Sequence, residues 1–202
     1  MTFLLPVLVA ACVPHLTSPT DTGEDVFCVD TPPLDYHWPC EPPPEELEAE
    51  GVGEGQVPPD FRMVDQFGDT VALWQFYGLV VVLDISTMWC GPCQQLAGDV
   101  EPMWQDYRDR GFVYVTILAQ DLLDGEPPDV AELASWAEYY GITAPILSDG
   151  EGWSPPITGD DGFPRVMVLG TDMRIVEDEV IPTEDATIRA IVEPLLVRPV
   201  PD

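Results

Sequence analysis

The chain has 202 residues, with 37 acidic residues against seven arginines, no lysine and a formal net charge of -30. A field this negative repels nucleic acid and anionic lipid headgroups, so both are excluded as partners. Hydrophobic residues make up 46% of the chain, which supports a packed core, and the length allows one domain plus an additional segment.

Residues 1–11, "MTFLLPVLVAA", form an apolar segment that is too short to span a bilayer and ends in small residues before Cys12. The sequence "VAAC" resembles the lipobox of bacterial lipoproteins, in which the cysteine becomes the lipidated first residue after cleavage. This resemblance implies a signal peptide over 1–11, lipidation of Cys12, and a membrane-anchored protein on the periplasmic or cell-surface side. Because no lysine or arginine precedes Arg62, a plain secretory signal or a buried segment is an alternative.

Residues 12–59 are rich in proline, glycine and acid, which predicts an extended tether. Within it, Cys28 and Cys40 enclose a 13-residue loop, "CVDTPPLDYHWPC", and we expect a local disulfide between them in an exported chain. Alternatively, Cys28, His37 and Cys40 could ligate zinc. A structural zinc site needs a fourth ligand, however, and this spacing matches no common zinc motif.

From residue 60 the pattern becomes that of a folded domain, which we assign to residues 60–202. Alternating residues around "FGD" predict a hairpin, and "GLVVVLDIS" predicts a strand buried on both faces. Apolar residues at helical spacing follow up to Gly111, with Pro102 expected to kink this helix. The run "FVYVTILAQ" then predicts a second buried strand.

The remaining elements complete an α/β pattern. "DVAELASWAEYYG" predicts a helix ending at Gly141, "RVMVLGTDMRIVEDEV" predicts two strands around "GTD", and "TEDATIRAIVEPLL" predicts a closing helix capped by Thr183. Strands that alternate with helices in this way favour a central mixed β-sheet flanked by helices on both faces.

The motif Cys90-Gly91-Pro92-Cys93 lies where a buried strand ends and a helix begins. Free backbone N–H groups and the helix dipole at this point stabilise a thiolate, so Cys90 is expected to attack. Cys93, one turn into the helix, is expected to resolve the resulting mixed disulfide. Zinc binding by this motif would require Cys28 and Cys40 to come across from the tether, so we interpret the motif as a redox dithiol and expect no metal.

"WCGPC" after "VVVLDIS", together with "WAEYYGITAPILSD" and "GFPRVMVLGTDMRIV", resembles the thioredoxin superfamily and its redoxin and TlpA-like branch of membrane-anchored thiol–disulfide oxidoreductases. The resemblance covers about residues 60–198. It implies a thioredoxin-like fold, and a cis-proline at Pro164 that faces the dithiol and contacts the substrate. Beside these residues Trp89 is expected to form part of the docking rim, and Phe163 either shapes the substrate groove or packs in the core.

The resemblance implies exchange of electrons with protein thiols and disulfides, including an upstream redox partner, through Cys90 and Cys93 without a cofactor. A thiol peroxidase is the alternative enzyme because Thr87 stands three residues before Cys90, although Leu83 replaces the proline of that signature. A non-catalytic binding module is a further alternative. Copper delivery would need a histidine in the domain, but His15 and His37 both lie in the tether.

Asp84 is the only charged residue in "GLVVVLDIS", and the resemblance places a buried acid at this position. Burial without a cationic partner would raise its pKa, and Asp84 could then accept the proton of Cys93 as that thiol attacks. Pairing with an arginine is the structural alternative.

Overall fold

The computed structural model describes residues 36–123, 125–158 and 162–196. One mixed sheet of seven strands organises this part of the chain, in the order β2-β1-β5-β4-β3-β6-β7. The strands are β1 (Arg62–Asp65), β2 (Thr70–Ala72), β3 (Val80–Ser86), β4 (Phe112–Leu118), β5 (Ile146–Ser148), β6 (Arg165–Leu169) and β7 (Ile175–Glu177). The helices are α1 (Gly91–Tyr107), α2 (Val130–Tyr140), α3 (Pro155–Thr158) and α4 (Asp185–Val192).

The centre of the sheet is formed by β3 and β4, which pair in parallel along seven residues, with β6 antiparallel on the other side of β3. Every residue of β3 and β4 is buried. Their nearly continuous apolar sequences are therefore explained by burial on both faces, as the sequence predicts.

The alternation along β3 separates two cores. Val80 and Val82 pack on the face covered by α1, α2 and α4, whereas Val81, Leu83 and Ile85 belong to the cluster on the opposite face. That second face is covered by residues 36–59, a 3₁₀ turn at Leu73–Phe76 and the short helix α3. The predicted α/β architecture, a mixed sheet flanked by helices in a thioredoxin-like fold, is confirmed.

Residues 36–59, which we call the strap, pack against the domain although the sequence indicates a tether. Trp38 and Val57 are buried in the second core, and the backbones of Gln56 and Ile175 are hydrogen-bonded. The folded body therefore extends upstream of residue 60. The composition is misleading here because a few apolar residues spaced along a proline-rich segment can each occupy a separate site on the sheet.

Two local features differ from the sequence-based expectation. The hydroxyl of Thr183 donates to the carbonyl of Val180 across 2.8 Å, so Glu184, rather than Thr183, is the N-cap of α4. The strand β5 and helix α3 are also not predicted, because segments of three and four residues are too short to show periodicity.

The predicted signal peptide over 1–11, the lipidation site Cys12, and Cys28 lie outside the described residues. Within the described ranges, the structure contains no helix of the length and hydropathy needed to cross a membrane.

Candidate active site

The dithiol lies at the start of α1, immediately after the loop that leaves β3. Cys90 is the N-cap residue, and its Sγ accepts a hydrogen bond from the backbone N–H of Cys93 at 3.3 Å. Cys90 and Cys93 form a disulfide, with their Cα atoms 5.2 Å apart. Cys90 is 6% exposed and Cys93 only 1%, so an incoming thiol or disulfide reaches Cys90 first.

Two aromatic side chains border Cys90. The indole of Trp89 is 53% exposed and meets the ring of Phe163 edge to face, with centroids 6.3 Å apart. The carbonyl oxygen of Phe163 lies 3.5 Å from the Sγ of Cys90. The peptide bond between Phe163 and Pro164 is cis, as the sequence predicts. Trp89 is adjacent to Cys90 in the sequence, whereas the fold brings Phe163 and Pro164 to the dithiol from a segment more than 70 residues away.

Two glutamines that the sequence analysis does not identify hold the loop before Cys90. The Nε2 of Gln94 donates to the carbonyl of Met88 at 2.8 Å. Gln120 accepts from the Trp89 indole N–H through its side-chain oxygen at 2.9 Å, and its backbone carbonyl accepts from the N–H of Met88 at 2.9 Å. Gln120 follows β4, which pairs with β3 in the sheet. This pairing brings Gln120 to the loop after β3, and the sequence alone does not reveal it.

Asp84 occupies the middle of β3, between Thr116 of β4 and Val166 of β6. Its side chain is on the face that α1 covers, and it is fully buried. Burial raises its pKa to about 7, against the opposing effects of Ser86 and Tyr114. The Ser86 hydroxyl donates to Asp84 at 2.5 Å. Within the described residues, burial and the two neutral hydroxyls determine this pKa, and no arginine contributes to it as the alternative from the sequence would require.

The second cysteine motif is only partly described. Cys40 is disulfide-bonded, and because its expected partner Cys28 is outside the described residues, the pairing stays a prediction. His37 is exposed, stacks on Phe67 with ring centroids 3.8 Å apart, and places its Nδ1 3.3 Å from Asp69. His37 is therefore in contact with the β1–β2 hairpin, since Phe67 and Asp69 lie in its turn.

Glu54, Glu177 and Asp178 bring carboxylate oxygens within 4.8 Å of one another near the β7 edge of the sheet. In a protein with this many carboxylates, exposed acidic side chains often lie close together, so their proximity alone does not indicate a metal site. They lie two strands away from β3 and its dithiol, so they add nothing to the chemistry of Cys90.

The fold and the position of the dithiol define a thioredoxin-like protein, and comparison with solved structures agrees. The thioredoxin domain of a thiol-disulfide oxidoreductase from Bacteroides vulgatus superposes with a TM-score of 0.59 at 17% identity, covering 72% of this chain and 99% of that one. At this identity the similarity concerns the fold.

Sequence comparisons point in the same direction. Residues 55–153, just under half of the chain, match the AhpC/TSA family. The chain is 29% identical over 102 residues to the thioredoxin-like protein YneN of Bacillus subtilis, an alignment spanning 50% of this chain and 57% of YneN. It is 24% identical to the thiol-disulfide oxidoreductase ResA of Bacillus thuringiensis, over 61% of this chain and 68% of ResA. Together these similarities support a thioredoxin-like fold of the redoxin type, and the chain spans little more than half the length of YneN.

Proposed function

We propose that the protein is a thiol–disulfide oxidoreductase that exchanges electrons with the cysteines of other proteins through Cys90 and Cys93. The observation that carries this proposal is the position of the bonded pair at the start of α1, with a backbone N–H directed at the Sγ of Cys90. A disulfide that served only to hold a loop would need neither this helix terminus nor the exposed Trp89 beside it.

In the reduced protein the Cys90 thiolate attacks a disulfide of the partner. The bond between Cys90 and one partner sulfur forms, the partner S–S bond breaks, and the second partner sulfur leaves as a thiolate. The N–H of Cys93 and the dipole of α1 stabilise the Cys90 thiolate before the attack, because both present positive partial charge to sulfur.

The second step resolves the mixed disulfide. Asp84 accepts the proton of the Cys93 thiol, and the Cys93 thiolate attacks the Sγ of Cys90. The intramolecular disulfide forms, the bond from Cys90 to the partner breaks, and the partner sulfur leaves with the electron pair. Two electrons pass from the dithiol to the partner, and an upstream dithiol restores the reduced form.

The surface around Cys90 supports a protein as the substrate. Trp89 is more than half exposed beside Cys90, and Phe163 continues the apolar rim towards Pro164. Exposed aromatic surface next to a reactive group is characteristic of a protein-docking site. Partner segments would lie across this rim in an extended form, with their cysteine above Cys90.

The N-terminal sequence supports export and anchoring. With cleavage before Cys12 and lipidation of that residue, the residues between Cys12 and the strap would link the domain to the membrane on the periplasmic or cell-surface side. Mass spectrometry of the membrane fraction tests this. A mature chain beginning at a lipid-modified Cys12 is expected, whereas an intact unmodified Met1 would contradict it.

Reduction of insulin by dithiothreitol in the presence of the protein tests the proposed activity. The wild-type protein should accelerate the reaction, and Cys90→Ser should abolish that acceleration. The double variant Cys28→Ser/Cys40→Ser is the matched control and should retain nearly full activity. If the reduced, folded wild-type protein does not accelerate the reaction, the proposal is contradicted. That result would favour a binding module in which the dithiol has only a structural role.

A thiol peroxidase is the second candidate, because the Thr87 hydroxyl is buried three residues before Cys90 and has no hydrogen-bond partner in the described part of the chain. This group could donate to a peroxide bound at Cys90. Consumption of hydrogen peroxide by the reduced protein, lost in Cys90→Ser and strongly slowed in Thr87→Val, would favour this activity over protein disulfide exchange.

A further inference from the structure

Four polar side chains are buried together beneath α1. Asp84 and Ser86 alternate along β3, and Tyr114 and Thr116 lie on β4 with the same parity. In the parallel register Asp84 is opposite Thr116, and Tyr114 is opposite Val82, two residues before Asp84. Adjacent strands in register direct such residues to one face, so both β4 hydroxyls are neighbours of the carboxyl group.

The hydroxyls of Tyr114 and Thr116 are both inaccessible to solvent and have no hydrogen bond of good geometry to any residue that the structure describes. A buried hydroxyl without a partner destabilises the fold, so such a group needs a compensating role. Asp84 can be that partner, because among the described residues Ser86 is the side-chain donor that has good hydrogen-bond geometry to it. A carboxylate that loses its proton in a buried site needs further donors.

Burial holds the pKa of the Tyr114 hydroxyl well above its ordinary value, and the negative charges of Asp84 on β3, Asp99 on α1 and Asp185 on α4 raise it further. Tyr114 is therefore a neutral donor. Arg189 on α4 also lies in this region, but its Nε donates to both carboxylate oxygens of Asp185 at 2.8 and 2.9 Å. Its Nη1 donates to Asp106 at 2.7 Å.

We propose that Tyr114 is a positioning residue for Asp84, and that its hydroxyl donates a hydrogen bond to the carboxylate when Asp84 is ionised. With Ser86 it provides the stabilisation that a cation would otherwise give, and Asp84 is then ready to receive the Cys93 proton. No bond of Tyr114 breaks in this role, and the proton moves only from Cys93 to Asp84. The inference rests on the proposed function for its role in the resolving step.

The first test measures the Asp84 carboxyl directly. In reduced protein labelled with 13C at the aspartate carboxyl carbons, the Asp84 resonance is assigned by its loss in Asp84→Asn and titrated in wild type and Tyr114→Phe. A hydrogen bond to a charged group corresponds to about one pKa unit or more, so the apparent pKa should rise from about 7 to about 8 in Tyr114→Phe. Phenylalanine preserves the ring and removes only the hydroxyl, so the variant should fold.

Tyr107→Phe is the matched control, because the Tyr107 hydroxyl donates to Glu193 and lies outside the Asp84 cluster. It should leave the Asp84 titration unchanged. An Asp84 pKa that is the same in wild type and Tyr114→Phe, or that moves equally in both tyrosine variants, would overturn the inference whether or not the protein turns over disulfides.

The second test measures the resolving step. A mixed disulfide between Cys90 and a peptide is prepared with Cys93 reduced, and peptide release is followed by rapid mixing across pH. At pH 7, Tyr114→Phe should release the peptide about five-fold more slowly, since the ionised fraction of Asp84 falls from about one half to about one tenth. The rate should return to that of wild type above about pH 9.

An equal loss of rate at every pH would indicate a merely structural effect and overturn the positioning role. The two proposals fail separately. A wild-type protein whose Asp84 titration depends on Tyr114 but which reduces no disulfide would refute the proposed function alone. Normal turnover with an unchanged pH profile in Tyr114→Phe would refute this inference alone.

Discussion

The backbone N–H of Cys93 lies 3.3 Å from the Sγ of Cys90 and donates a hydrogen bond to it. This contact uses one of the N–H groups left free at the first turn of α1, and Pro92 within that turn removes another donor that would need a partner. The two cysteines of the motif therefore have different environments. The Sγ of Cys90 receives the hydrogen bond at the helix terminus, whereas Cys93 is buried one turn further along the helix.

The first prediction concerns this asymmetry. Cys90→Ser should abolish disulfide reduction, whereas Cys93→Ser should accumulate mixed disulfides with partner proteins, visible on non-reducing gels as species that disappear with dithiothreitol. In the reduced wild-type protein, iodoacetamide should modify Cys90 at least ten-fold faster than Cys93, measured by peptide mass spectrometry. Faster modification of Cys93 would show that the roles are reversed.

The second prediction is a pH dependence of stability that arises from Asp84. Its pKa is about 7 in the folded protein, against an ordinary value of 3.8. Between these values the folded state keeps a proton that the unfolded state has released, so the free energy of unfolding falls as pH rises through this window and levels off above it. Asp84→Asn removes this dependence.

We therefore expect Asp84→Asn to be more stable than wild type at pH 8, by roughly 1–3 kcal/mol, and to show a smaller difference at pH 5. Urea unfolding at the two pH values measures this, and reduced protein should be used for both variants. Exchange should be slower in the variant because the base is absent. A strongly destabilised variant with normal turnover would instead identify Asp84 as a paired structural acid.

Most of the fold and the chemical centre of the site were accessible from the sequence because they depend on local pattern. The continuous apolar runs of β3 and β4 indicate burial on both faces, and the dithiol between a strand and a helix places Cys90 at a helix terminus. The single acid in an apolar strand, Asp84, is also visible in the sequence. Its pairing state is not, because the hydroxyls that act on it come partly from β4.

The features that were missed depend on contacts between distant segments. Gln120 acts on Trp89 across 31 residues of sequence, and Gln75 binds the strap through the carbonyl of Pro39, 36 residues upstream. Neither glutamine has a sequence signal, since a single polar residue at a strand end or in a 3₁₀ turn is ordinary. Composition predicts a tether for the strap because it reports the average polarity of the segment and not the few apolar residues that pack.

The third prediction concerns the loop that presents Trp89. Gln120→Ala removes the acceptor of the Trp89 indole N–H while leaving the backbone bond to Met88 in place. The indole should then be more mobile, raising KM for insulin about two- to five-fold, in proportion to one hydrogen bond of about 0.5–1 kcal/mol. Turnover of hydroxyethyl disulfide, which is too small to use the rim, should not change.

Gln105→Ala is the control for this variant, since the Gln105 amide bonds to Glu101 and Thr143 at the other end of α1. Both kinetic parameters should remain at wild-type values in the control. If Gln120→Ala impaired the small disulfide as much as insulin, the glutamine would be acting on the dithiol itself and not on docking.

The strap is attached to the sheet through Trp38 and Asp65. The Trp38 indole N–H donates to Asp65 Oδ2 at 2.5 Å, and both side chains are buried. The other oxygen of Asp65 accepts from the backbone N–H groups of Phe67 and Asp69 at 2.9 and 2.8 Å. One carboxylate thus holds the turn of the β1–β2 hairpin and the first described part of the strap together.

The last prediction follows from this attachment. Trp38→Ala removes a buried indole and one donor to Asp65, so the free energy of unfolding should fall by roughly 3 kcal/mol in urea. Tyr139→Ala, in which an 81% exposed ring is removed, should change it by less than about 0.5 kcal/mol. Because Trp38 packs on the face of the sheet opposite α1, the rate of Cys90 alkylation in folded, reduced Trp38→Ala should match wild type. A Trp38→Ala protein as stable as wild type would show that the strap does not contribute to the folded domain, and that the domain begins near residue 60 as its composition indicates.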